Sequence, residues 1–200
     1  MPDQKIILDL CGGSGAWSAP YADAGYDVVN VTLPEYNVLT YEPPEPENVY
    51  GILTAPPCDQ FSYAKTTGRP RDIRKSLKII AACYRIIWDC QVDLPSPYAH
   101  KTTLKFWALE NPDGLLQYFM GRPIFEFNPY DFGDDYQKRT CLWGYFNNPV
   151  KRPSLFSGLN KKLAATNSQK LPKGKAGMSK SDRRAITPAG FANAFFEANK

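Results

Sequence analysis

The sequence predicts an α/β fold of a single domain, built on a doubly wound, mainly parallel sheet. Apolar runs of strand length alternate with helical patterns, the order in which parallel βαβ units are laid down. Three of those runs lead into turns that carry polar or reactive residues, and ligands gather at that edge of such sheets. A chain of 200 residues with 43% apolar types fills one ordinary core and leaves little for a second domain.

Each element has its own warrant. Residues 5–10 are a short apolar strand, Cys11-Gly12-Gly13-Ser14-Gly15 a tight turn, and helix-compatible residues follow through Ala24. Residues 26–33 and 49–55 are the second and third strands, joined by a Pro-rich connector at 42–47, and the third runs into Pro56-Pro57-Cys58. Over residues 74–92, Leu77, Ile80, Ala81, Tyr84, Ile87 and Trp88 recur at the spacing of an amphipathic helix. Residues 105–109 form a further buried strand followed by Glu110-Asn111-Pro112, and residues 125–127 and 141–146 are also strands. Between 151 and 184 the chain is rich in Lys, Ser, Gly and Asn and reads as a long basic loop or arm. A last helix, 188–199, puts Phe191, Ala194, Phe195 and Ala198 on one face.

Composition excludes several function classes. No apolar run is long enough to cross a membrane, and the first eight residues are too polar and too short for a signal peptide, so a soluble, cytoplasmic protein is expected. Five cysteines without a CxxC pair suit a reducing compartment, and with one histidine no metal site is expected. Net charge is only +4, yet residues 151–184 hold ten Lys/Arg against the single acid Asp182. Lys161, Lys162, Lys173 and Lys175 in that stretch are candidates for phosphate contacts, although such a run is as often a solvated surface.

The chemistry concentrates at strand ends. A glycine turn between strand and helix lets backbone N–H groups approach a nucleotide-like ligand, or simply makes a tight turn. Cys58 follows two prolines and precedes Asp59-Gln60-Phe61-Ser62, a setting that presents a thiol to the ligand edge rather than burying it. Glu110 at the next strand end offers a carboxyl partner.

Together these residues resemble the cytosine-5 DNA methyltransferases, over most of the chain and in the right order. Asp9-Leu10-Cys11-Gly12-Gly13-Ser14-Gly15 is similar to their first cofactor motif, Pro57-Cys58 with Gln60-Phe61-Ser62 to their nucleophile loop, and Glu110-Asn111-Pro112 to their catalytic glutamate motif. Gln137-Lys138-Arg139 resembles the basic motif beside the target base, and Thr187 to Asn193 the C-terminal helix motif. The resemblance, closest to short phage- and prophage-encoded members acting in a bacterial host cell, implies a Rossmann-like methyltransferase architecture and S-adenosylmethionine as cofactor. It implies catalysis by Cys58, Glu110 and Arg139, cofactor contacts from Asp9, Cys11, Gly13, Ser14, Gly15, Thr32, Asn37, Pro57 and Asn193, and nucleic-acid contacts from Gln60, Ser62 and Gln137.

The sequence also departs from that family. Thr32 stands where an acid holds the cofactor ribose, Asn37 where an aspartate commonly reads the adenine, Cys11 where an aromatic is usual, and Cys141 where a second arginine is expected. Only 46 residues separate Thr140 from Thr187, where relatives usually insert a target-recognition domain. DNA is thus the expected partner, at low sequence specificity or with a further protein to supply it. The alternatives are an inactive nucleic-acid-binding homologue, a subunit of a split enzyme, or the same chemistry on RNA or single-stranded cytosine.

Overall fold

Because successive side chains of a strand point to opposite faces, the apolar strands of this chain need cover on both sides. The computed structural model describes residues 5–63, 65, 69–91, 104–153 and 180–200. Strands β1 (Ile6–Leu10), β2 (Asp27–Val31), β3 (Val49–Thr54), β4 (Phe106–Pro112), β5 (Phe125–Phe127) and β6 (Thr140–Tyr145) form one sheet in the order β2-β1-β3-β4-β6-β5. The first four are mutually parallel, and β6 runs antiparallel to both of its neighbours, β4 and β5.

Helices lie on both faces, as a doubly wound sheet requires. On one, Ile7, Leu53, Phe106, Ala108 and Leu142 pack with Trp17, with Tyr21 of α1 (Ala19–Asp23) and with Phe191 and Phe195 of the C-terminal helix (Ala189–Asn199). On the other, Leu8, Leu10, Val31 and Ile52 meet Cys83, Ile86, Ile87 and Cys90 of α2 (Ile73–Gln91), and Leu109, Cys141 and Trp143 extend that layer. Two short helices, α3 (Gln117–Met120) and α4 (Lys180–Ala185), complete the described chain, making the C-terminal helix α5.

The structure adjusts several expected boundaries. The first helix begins only at Ala19, with Pro20 in its first turn, because Cys11, Gly13 and Gly15 hold φ of 57°, 55° and 70° and keep the preceding residues in turns. Glu110, Asn111 and Pro112 belong to β4 itself instead of following it. The end of the expected basic arm is helical, as α4, and its residues 154–179 lie outside the described residues. Cys83 and Cys90 are core residues, while His100 lies outside the described residues. Among the described residues no helix is long and apolar enough to cross a membrane, and no group of three or more His, Cys, Asp or Glu is placed to hold a metal ion.

Candidate active site

The glycine turn is built around Asp9. This carboxylate is buried, Oδ2 accepts a 2.6 Å hydrogen bond from Ser18 Oγ, and Oδ1 is buried with no partner among the described residues. Burial pushes the Asp9 carboxyl up to about 6, against the Ser18 hydrogen bond. A Cβ on Gly12 would lie 2.3 Å from Asp9 Cγ, so only glycine fits there, whereas a Cβ on Gly13 would meet nothing within 4 Å. The turn is therefore closed toward the core and open outward. Asn30 of β2 reaches over it, Nδ2 donating to the Gly13 carbonyl at 3.2 Å while Oδ1 stays buried and unpartnered among the described residues. Sequence reasoning missed Asn30; its signal was a polar residue in the run Val28-Val29-Asn30-Val31.

The other expected cofactor contacts are distributed around this turn. Ser14 is exposed, and Cys11 is half-buried against the layer containing Cys83, whose thiol, together with burial, holds that of Cys11 above its ordinary range. Thr32 is half-buried just past β2, and Asn37 is exposed with Oδ1 accepting the Leu39 N–H at 3.1 Å, an arrangement that caps its own loop.

Cys58 stands four residues past the end of β3, after buried Pro56 and exposed Pro57. Its carbonyl accepts N–H groups from Phe61 and Ser62 at 3.0 and 2.8 Å, which folds the loop back on itself. Phe61 is fully buried, and its carbonyl accepts the Leu115 N–H at 2.8 Å where Gly114 lets the two backbones meet: a Cβ there would lie 2.3 Å from Phe61 O. Arg71, also missed from sequence, donates to the carbonyls of Gln60, Ser62 and Lys65 at 2.6, 3.0 and 2.9 Å. Gln60 was expected to face nucleic acid. Its side chain is instead taken up within the loop, Oε1 accepting from Asp72 N and Lys65 Nζ at 2.8 and 3.0 Å and Nε2 donating to Asp59.

β4 brings the carboxylate to this loop. Asn111 Nδ2 donates to the Pro56 carbonyl at 3.1 Å, tying strand to loop. Glu110 Oε1 lies 3.3 Å from Lys138 Nζ, and their side chains are only 15% and 14% exposed. Burial first and the Glu110 charge second hold the Cys58 thiol above its ordinary range, with Lys138 pulling the other way. Cys58, Glu110 and Lys138 thus share one electrostatic environment. Tyr136 borders it, buried and with its hydroxyl unpartnered among the described residues; burial, then Asp134 and Glu110, raise that phenol.

Arg139, expected to stabilise the base, is not in this group. Strand alternation gives the reason: Leu142 and Glu110 sit opposite one another in register, Lys138 has the same parity, and Arg139 has the parity of Cys141. Arg139 is 56% exposed and pairs with Glu126 at 2.6 Å and Asp113 at 3.4 Å. Cys141 is buried in the α2-side core. Gln137 is exposed, and Ser62 forms an isolated bridge with Gly114. Asn193, expected as a cofactor contact, lies on the outer side of α5. Two residues along from Phe191, it turns about 200° around α5 and lines an outer groove with Phe132, Val150, Arg152 and Glu197. Lys161, Lys162, Lys173 and Lys175 lie outside the described residues. Trp17 and Trp143 are core residues, the latter donating Nε1 to the Gly121 carbonyl at 2.9 Å.

No protein-family model matches the chain, and no curated protein does. Among solved structures it is similar to a mutant DNMT2 of Spodoptera frugiperda, at 16% identity and a TM-score of 0.35, with 76% of this chain and 51% of that chain covered. The chain thus spans about half the length of that protein.

Proposed function

We propose that this chain is an S-adenosylmethionine-dependent methyltransferase acting on carbon 5 of cytosine in DNA, with Cys58 as its covalent nucleophile. The observation that supports this best is the tie between Asn111, next to Glu110 and its partner Lys138, and Pro56, two residues before Cys58, at the carboxyl edge of a sheet whose first strand ends in an outward-open glycine turn.

The residues at that turn fit the cofactor. Gly13 leaves free space for a close approach, and the buried Oδ1 atoms of Asp9 and Asn30 are acceptors awaiting donors. Asp9, Cys11, Gly13, Ser14 and Gly15 would hold it, with Thr32, Asn37 and Pro57 at the margins. When bound, S-adenosylmethionine supplies an electrophilic methyl group on a sulfonium.

The protein's part is to make cytosine C5 nucleophilic. The Cys58 thiolate adds to C6, forming an S–C6 bond and sending the C5=C6 π pair toward C5. The Glu110 carboxyl gives its proton to N3 and so draws charge from the ring, taking it back when Cys58 leaves, and Lys138 balances the carboxylate formed meanwhile while favouring the ionised thiol. Once C5 carries the methyl group, its proton leaves to a base, the C5=C6 bond re-forms and the S–C6 bond breaks. In a duplex the base must first be flipped out, since C6 is out of reach within the stack.

Calorimetric titration with S-adenosylmethionine and S-adenosylhomocysteine tests the cofactor step, and transfer of labelled methyl groups to cytosine-containing DNA tests the rest. Binding in the micromolar range, lost in Gly13→Asp, and transfer abolished in a folded Cys58→Ser variant are expected. Transfer retained in Cys58→Ser removes the covalent mechanism. A second reading, an inactive nucleic-acid-binding homologue or a subunit awaiting its partner, is favoured by Thr32 and by the engagement of Asn37 Oδ1 in its own loop. Absence of cofactor binding by the folded chain selects it.

A further inference from the structure

Beside the cysteine loop lies a group of aromatic side chains that the core does not use. Tyr63, Tyr118 and Phe119 are 46%, 75% and 52% exposed, and none belongs to a hydrophobic cluster of the fold. Their gathering is not accidental. The Ser62–Gly114 bridge and the Leu115 N–H to Phe61 carbonyl bond hold the start of α3 against the loop, and Phe119 lies 6.3 Å from the Phe61 ring. Tyr118 holds the Tyr63 phenol above its ordinary range. Arg71 fastens the backbone beneath. Tyr63 thus stands five residues past Cys58, next to a backbone bridge that holds the segment leading into α3, which carries Tyr118 and Phe119.

The charges around them are complementary to a polyanion. Arg122, just past α3, and Arg69, beyond the loop, are exposed and have no ion-pair partner among the described residues. The nearby acids are engaged: Asp113 and Glu126 are bound to Arg139, and Asp59 accepts from Gln60. Exposed ring faces in the company of such guanidinium groups suit unpaired bases, which stack on any aromatic face whatever their identity. A duplex keeps its bases stacked on one another and offers edges and phosphates instead.

We infer that Tyr63, Tyr118 and Phe119 form a stacking platform for unpaired bases flanking the target, so that the substrate class is a single-stranded polynucleotide rather than a duplex. This rests on the proposed function for the identity of the target, but not for the binding itself. It gives a source of affinity that needs no sequence readout, in keeping with the short segment between Thr140 and Thr187.

The test is fluorescence anisotropy with the full chain and a short labelled cytosine-containing strand, as DNA, as RNA of the same sequence, and as DNA duplex. The single strands are expected to bind at least about tenfold more tightly than the duplex, and the Tyr118→Ala/Phe119→Ala variant to lose about tenfold or more on the single strands alone. Tyr118→Trp should retain the affinity, separating stacking from a folding defect. Equal or tighter duplex binding, or single-strand affinity unchanged within about twofold in the double variant, overturns the inference. Single-strand binding confined to RNA or to DNA would overturn the base-stacking basis, since ring stacking does not depend on the sugar. Cofactor titration of the same samples keeps the two readings apart. Cofactor binding without platform dependence removes only the platform, and platform dependence without cofactor binding removes only the enzyme.

Discussion

A buried carboxylate with one oxygen on a serine and the other on nothing is costly to keep ionised, and Asp9 is such a group among the described residues. Its folded pKa of about 6 lies above the ordinary 3.8, so between those values the folded chain holds a proton that the unfolded chain has released. That stabilisation is complete below the unfolded value and is lost as pH rises through the folded one; above it, the charge costs about 3 kcal/mol relative to the acid limit. Asp9→Asn keeps an acceptor for Ser18 and removes the charge. Chemical denaturation at about pH 8 should show the variant more stable by up to about 3 kcal/mol, with the gain vanishing near pH 4. A pH-independent difference would mean that Asp9 is not the titrating group.

Lys138 makes a second residue-scale prediction. It opposes the burial and the Glu110 charge that raise the Cys58 thiol. Lys138→Met should move the thiol higher still, so that single-turnover methyl transfer, which requires thiolate, has its rising limb at higher pH. At neutral pH the rate then falls in proportion to the thiolate fraction, about tenfold for a thiol pKa higher by about 1. Arg139→Met, whose partners are Glu126 and Asp113, should leave the profile in place; the reverse pattern would return the catalytic role to Arg139.

At the scale of elements, the cysteine loop is the part most dependent on distant support. Arg71→Ala deletes the donor to three loop carbonyls and should raise amide exchange over residues 58–62 by about tenfold or more while costing only about 1–3 kcal/mol of global stability. Unchanged exchange there would mean that buried Phe61 and the Ser62–Gly114 bridge hold the loop without Arg71. This division also sets what the sequence reveals. The loop itself is legible, because Pro56-Pro57-Cys58 is a local pattern. Its clasp is not, because nothing near Arg71 states which carbonyls a guanidinium six to eleven residues away will reach. That Lys138, and not the expected Arg139, lies against Glu110 is hidden for a related reason: adjacent basic residues at the start of a strand differ only in parity, and parity is fixed by the register with β4.

For the whole molecule, alternation of strand and helix is enough to read a parallel α/β sheet with its reactive residues at one edge. The place of β6 is not. A six-residue apolar strand such as Thr140–Tyr145 carries no mark of its partner or direction, and its insertion between β4 and β5 depends on which edge remains open after the parallel strands have paired. The same insertion is what delivers Lys138 to Glu110.

The packing of Trp17 and Tyr21 on Phe191, Phe195 and Phe196 ties the order of assembly to the order of synthesis. A ribosome adding about 5–20 residues per second releases the aromatic wall behind the glycine turn well before the helix that covers it. Until α5 emerges, the nascent chain carries an uncovered aromatic face, and the cradle of Asp9 and Gly13 has no backing. Termination ahead of α5 would therefore yield not a weakened protein but a sticky one, a substrate for chaperones and proteases.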